Sequence, residues 1–253
     1  MYLEDAGAGP SVLALHGLGG GAYFFSGLAR RLQPFCRILS VDLPGTGRSA
    51  AEGPPSIDNW VGRLGRLLDE QDAAPVVLLG HSLGTIVALH AYAAWPERIR
   101  GLVFAGGLPR VRPPIRERLS ARLAVLEGAR DLAGWGSSVS PGVFSPGTLA
   151  RQPELVALFE RLFETQPLDA YVASMRVLLD ADATHLAGTV RVPCLAVTGA
   201  DDQYAPPEAV AAFVQGLPRP AALEVIEACG HLPFLEQPDA FARIVDAFLR
   251  RLP

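Results

Sequence analysis

The chain contains no lysine: all 22 of its Lys/Arg positions are arginine. That absence excludes Schiff-base chemistry, attachment of pyridoxal phosphate and a P-loop lysine. Cysteine is almost as scarce. Cys36, Cys194 and Cys229 are odd in number and widely spaced, which fits neither a disulfide framework nor a CxxC metal pattern; two of them sit in apolar runs as inert core thiols. No His/Cys/Asp/Glu cluster has metal-ligand spacing, and no cofactor is expected. The net charge of −4 includes no basic block, so the electrostatic footprint of a nucleic-acid partner is missing. The opening MYLEDAGAG carries acids where a signal peptide needs bases and an apolar core, and no apolar run approaches the span of a bilayer. A cytoplasmic protein with no membrane partner is the expectation, as a monomer or homodimer.

What is present is a chain of 253 residues, 49% apolar, long enough to bury a large core. Short Val/Leu/Ile runs recur at Val12–Leu15, Ile38–Val41, Val76–Leu79, Leu102–Ala105, Cys194–Val197 and Leu223–Ile226. Each is nearly unalternated, as a strand buried on both faces should be. Helical patterns lie between them. Ser56, for example, is placed to cap a helix with Ile57, Trp60, Val61, Leu64, Leu67 and Leu68 on one face. The βαβα order predicts an α/β fold with a mostly parallel sheet covered by helices.

The rhythm breaks over residues 107–188, where prolines divide three helical stripes: Ile115, Leu119, Leu123, Leu126; Leu155, Leu158, Phe159, Leu162; and Val172, Met175, Leu178, Leu179. Strands resume at Val192. Residues 1–106 and 189–253 are therefore expected to form one core domain interrupted by a helical insert at 107–188.

The glycine loop after the first apolar run admits two functions. Gly17, Gly19 and Ala22 have the G-x-G-x-x-A spacing of a dinucleotide cradle, with Asp42 at the distance of a ribose-binding acid, which suggests an NAD(P)-dependent oxidoreductase. Gly80-His81-Ser82-Leu83-Gly84, between a strand and a helix, suggests something else. A nucleophile on a sharp strand-to-helix turn needs small residues two positions to either side, and there the helix dipole favours developing negative charge. A serine alcohol also needs a base and a group to hold that base. Gly199-Ala200-Asp201-Asp202 and Gly230-His231 follow later strands and offer both.

Taken together, these segments resemble the α/β-hydrolase superfamily, serine-nucleophile branch, over essentially the whole chain. The family's motifs are matched in order by His16-Gly17-Leu18-Gly19, Asp42-Leu43-Pro44-Gly45-Thr46-Gly47-Arg48-Ser49, the Ser82 elbow, Gly199-Ala200-Asp201-Asp202 with Pro206, and Gly230-His231. The resemblance implies a catalytic Ser82–Asp202–His231 triad, with Asp201 a solvated turn residue and the Leu18 and Leu83 amides as the oxyanion hole. It gives the glycine loop to an oxyanion instead of a pyrophosphate, and leaves His16, His90 and His185 structural. It also implies a helical cap and, because too few residues precede the strand near Met1–Glu4, a sheet without its first edge strand.

The insert is most similar to 3-oxoadipate enol-lactonases: an arginine-bearing helix (Arg116, Arg118, Arg122), Glu127-Gly128-Ala129, Trp135 and Tyr171-x-x-x-Met175. A carboxylesterase is similar in its nucleophile context. The implied activity is hydrolysis of a small carboxylic ester or lactone, with His81, Trp135, Arg116, Arg118 and Arg122 as candidate substrate contacts and one arginine meeting a substrate carboxylate. The same triad would serve a C–C bond hydrolase or a thioesterase, and a ligand receptor can retain it without turnover.

Overall fold

In the computed structural model, which describes residues 1–252, the apolar runs lie side by side in one sheet. Its strands are β1 (Leu3–Ala6), β2 (Ser11–Leu15), β3 (Arg37–Val41), β4 (Val76–His81), β5 (Ile99–Ala105), β6 (Cys194–Gly199) and β7 (Ala222–Ile226), in the order β1-β3-β2-β4-β5-β6-β7. All neighbours run parallel except β1, which pairs antiparallel with β3. Among the described residues no strand lies outside β1, so the sheet ends there.

Every side chain of β2 and β4 is buried, because helices cover both faces of the central strands. β7 departs from that pattern. It is an edge strand with Ala222, Glu224 and Val225 exposed, so its apolar run is not the doubly buried strand that its composition predicts.

Three helices punctuate the first half: α1 (Ser26–Leu32), α2 (Ile57–Glu70) and α3 (Leu83–Ala94). Ser56 Oγ accepts the Asn59 amide at 3.1 Å, capping α2, whose Trp60, Val61, Leu64, Leu67 and Leu68 are buried. Between β5 and β6 the chain makes α4 (Pro113–Leu126), α5 (Gly136–Val143), α6 (Pro146–Arg151), α7 (Pro153–Glu164), α8 (Leu168–Asp180) and α9 (Thr184–Ala187). Prolines open α4, α6 and α7, where a missing N–H costs nothing. The stripe on α7 is shifted from its predicted register: Phe159 and Phe163 are buried, whereas Leu158 is 54% exposed. Then follow α10 (Pro207–Gln215), α11 (Pro233–Glu236) and α12 (Pro238–Leu249).

The three cysteines are buried and unbridged, and burial raises the Cys36 thiol to about 11 and Cys194 to about 12, which keeps both protonated. None of the described helices is long and apolar enough to cross a membrane. The strand order reverses between β2 and β4: the chain leaves β2 toward β3 on one side and β4 toward β5 on the other. Loops leaving such neighbours diverge and open a crevice at their carboxyl ends. The glycine loop follows β2 and Ser82 follows β4, so both candidate motifs meet at this crevice.

Candidate active site

Ser82 sits between β4 and α3 with φ 51° and ψ −115°, a conformation in which a β-carbon is strained. The turn closes only because its flanks are glycines. A β-carbon on Gly80 would run into the Gly84 carbonyl, and one on Gly84 into the carbonyl of Leu15 on the adjacent strand. The strain lifts Ser82 out of the sheet at the amino end of α3, where it is only partly buried and lines a cavity.

His231 lines the same cavity from the loop after β7. Its Nδ1 lies 2.9 and 3.0 Å from the two oxygens of Asp202, which is buried in the loop after β6. Asp202 Oδ1 also accepts the Tyr204 and Ala205 amides at 2.8 and 2.9 Å, and Thr198 Oγ1 donates to Oδ2 at 3.4 Å. A carboxylate held by that many donors is fixed in orientation. Its neighbour Asp201 is exposed and meets the histidine loop only through its backbone amide, 2.8 Å from the Cys229 carbonyl.

The loop after β2 completes the site. The amides of Leu18 and Leu83 find no acceptor in the protein among the described residues, and Leu18 lines the cavity beside Ser82. His16 shapes that loop from behind. Its Nε2 accepts the Leu43 amide at 3.1 Å, which leaves the proton on Nδ1 to donate to the Gly17 carbonyl at 2.7 Å. Asp42 is equally committed: Oδ1 accepts from Ala22 and Oδ2 from Arg48, both backbone amides. Its oxygens knit two loops together and are not presented to a ribose.

His81 lies beneath His231, the two rings 4.8 Å apart and the His81 Nε2–H donating to the His231 carbonyl at 3.0 Å. It lines the cavity floor, but 3% exposure and packing against Phe234 make it a support for the loop more than a surface for a ligand. Burial first, and then the neighbouring His231, hold its pKa well below the usual histidine range. His81 therefore stays neutral through the mildly acidic range. If His231 is the base, kcat/KM on the acid side is expected to follow a single ionisation, which a pH–rate profile would check.

The other predicted substrate contacts separate. α4 turns Ile115, Leu119 and Arg122 toward the cavity, the spacing of one helix face. Arg116 points away and is exposed. Arg118 is exposed too, its guanidinium 5.4 Å over the Tyr204 ring and 3.4 Å from Gln203 Oε1. Trp135 precedes α5, half-buried and outside the cavity lining, so it and Arg116 are misplaced as contacts. Arg110 and Arg112, which sequence reasoning passed over, do line the cavity; the signal was their position directly after β5, on the carboxyl-end rim. Arg122 is the half-buried one. Its guanidinium faces the Tyr171 and Tyr204 hydroxyls, which raise its pKa against the opposing effect of burial. No carboxylate among the described residues pairs with it, and the lining includes no Asp or Glu.

About 800 Å³ of space, part of it open to solvent at the mouth, lies between these residues. Its walls are otherwise apolar: Leu18, Phe24 and Ile86 on the sheet side, Val139, Val143, Phe159 and Phe163 from the helices between β5 and β6.

A family model described as "Alpha/beta hydrolase family" matches residues 12–244. The chain belongs to the alpha/beta hydrolase family. This hydrolase is 30% identical to the pimeloyl-[acyl-carrier protein] methyl ester esterase of Chromobacterium violaceum, over 96% of this chain and 95% of the relative. It is 28% identical to the 2-hydroxy-6-oxononadienedioate/2-hydroxy-6-oxononatrienedioate hydrolase of Cupriavidus pinatubonensis, over 98% of this chain and 90% of the relative. Its fold matches that of the enol-lactonase from Burkholderia xenovorans LB400 with a TM-score of 0.89 at 22% identity, covering 99% of this chain and 96% of the other. The G-x-G-x-x-A loop is thus a hydrolase loop.

Proposed function

We propose that this hydrolase cleaves a small carboxylic ester or lactone through an acyl-enzyme on Ser82, beneath a cap formed by α4 to α9. The observation that carries the reading is the positive-φ serine at the carboxyl end of β4, in one cavity with a histidine anchored by a buried aspartate. Ser82 Oγ attacks the substrate carbonyl while His231 Nε2 takes its proton, and Asp202 holds Nδ1–H and stabilises the imidazolium. The carbonyl oxygen, now an anion, turns to the Leu18 and Leu83 amides at the amino end of α3. His231 then protonates the departing alkoxide, and water repeats the sequence to release the acid. The pimeloyl-ester relative supports ester cleavage. The Cupriavidus relative supports a C–C bond hydrolase on the same residues as the second reading, and a thioesterase would use them unchanged.

Comparing kcat/KM across activated esters, lactones, thioesters and vinylogous 1,5-diketones separates these readings. Esters or lactones are expected to lead; turnover of the diketones alone would replace the proposal with the C–C reading, and no turnover at all would favour a receptor.

The substrate we propose carries a carboxylate that meets Arg122. A guanidinium walled by apolar groups, with two phenols and no counter-ion, is an incomplete site, and a carboxylate completes it bidentately. Arg122→Met is expected to raise KM for acidic esters about 10- to 150-fold, the equivalent of about 1.5–3 kcal/mol for a lost charged hydrogen bond, and to spare neutral esters. Arg116→Met and Arg118→Met should change neither. Equal effects of Arg122→Met on both substrate classes would remove the carboxylate from the proposal.

A further inference from the structure

Glu236 is a buried carboxylate, 3% exposed, on the short helix α11 that follows the His231 loop. Among the described residues no cation pairs with it, so neutral donors alone hold it. They divide between its oxygens. Oε1 accepts the amides of Gly230 and Leu232, which flank His231, at 2.8 and 3.4 Å, and Cys229 Sγ lies at 4.0 Å. Oε2 accepts the Ser145 amide at 2.9 Å and Thr148 Oγ1 at 2.7 Å. Ser145 and Thr148 belong to the turn and first residues of α6, within the helical segment over the site. One oxygen thus serves the loop of the base and the other serves the cap.

The same two segments are joined at two further points. The His231 amide donates to the Val143 carbonyl at 2.7 Å, and Ser145 Oγ donates to the Ala228 carbonyl at 3.2 Å. Val143, His231 and Leu232 all line the cavity. This corner of the cap is therefore continuous with the loop that carries the base. Lifting the α5–α6 turn would strip the donors from one oxygen of a buried carboxylate, a costly state that the loop relieves only by moving with it.

We propose that Glu236 is a positioning residue that couples the seat of the cap to the placement of His231. The inference rests on the Ser82 hydrolase reading, with His231 as base. Glu236 touches no reacting atom; it acts by fixing the two amides on either side of His231, while Asp202, His81 and Tyr204 contact the ring itself. It follows that this edge of the cap is its fixed edge, and that substrate enters past other parts of the segment.

The test uses two variants with unchanged shape, Glu236→Gln and Thr148→Val, and the double variant. A glutamine turns an NH2 toward donors on one side, and Thr148→Val deletes a donor from the cap side without reaching the cavity. Each is expected to lower kcat for a small neutral activated ester about 10- to 100-fold with KM within about twofold, the scale of a displaced catalytic group. Each should also shift the NMR resonance of the His231 Nδ1 proton, a readout independent of turnover. Because the one direct bond from the Thr148 side chain toward the His231 side is to Glu236, the double variant should lose little more than Glu236→Gln alone. Wild-type kcat and an unmoved His231 resonance in both single variants, with only the melting temperature lowered, would overturn the proposal and leave Glu236 a structural residue. Full additivity in the double variant would overturn it as well. Failure of the hydrolase reading is seen separately, as activity retained in Ser82→Ala.

Discussion

Replacing Ser82 by alanine is expected to lower kcat by a factor on the order of 10⁴ to 10⁶ while leaving the melting temperature and the circular dichroism spectrum unchanged. The magnitude follows from removing the nucleophile while sparing the amides of Leu18 and Leu83, which retain their polarisation of the carbonyl and so a residue of catalysis over water. The fold should tolerate the change because the elbow is closed by backbone bonds of Ser82 to Ala105 and Thr85, which alanine keeps, and by the close approach of Gly80 and Gly84, not by the Ser82 hydroxyl. Steady-state kinetics on a small activated ester measures the effect. A loss of less than about tenfold would mean that another group attacks, and Ser82 would owe its strain to something other than chemistry.

Asp202→Asn should cost roughly 10⁴ in kcat, and the geometry says why. Oδ1 is pinned by the amides of Tyr204 and Ala205. An asparagine keeps those two bonds by placing its carbonyl oxygen there, which turns its NH2 toward His231 Nδ1. The imidazole must then offer a lone pair at Nδ1 and carry its proton on Nε2, where it cannot accept the proton of Ser82. Asp201→Asn, on an exposed side chain, should stay within about twofold of wild type. A reversal of the two results would place the acid at Asp201 and contradict the hydrogen bonds between Asp202 and His231.

The parts of this site that are legible in the sequence are those whose chemistry is local. The glycines around Ser82 are dictated by a turn five residues long, and the choice of Asp202 over Asp201 rests on spacing within one loop. Arg122 is named together with Arg116 and Arg118, and of the three it alone lies three residues beyond Leu119 and seven beyond Ile115 and lines the cavity. Trp135 misleads because it is carried over from the insert's resemblance to enol-lactonases, and a matched residue type does not record where its side chain packs. β7 misleads for a related reason. A short run of Leu, Val and Ile around one glutamate does not record whether a sheet continues beyond it, and here the sheet ends, exposing Val225. Glu236 was illegible altogether. Its partners between β5 and β6, Ser145 and Thr148, lie about ninety residues away, and nothing near Leu235 announces that a carboxylate will be buried there.

Hydrolysis through a covalent bond to one serine is tested most directly by mass spectrometry of the protein treated with a mechanism-based serine reagent. A single adduct is expected, mapped by peptide digestion to Ser82, formed in step with loss of esterase activity and absent from Ser82→Ala. An adduct on any other residue that tracks the loss of activity, or full activity in protein carrying the adduct on Ser82, would contradict it.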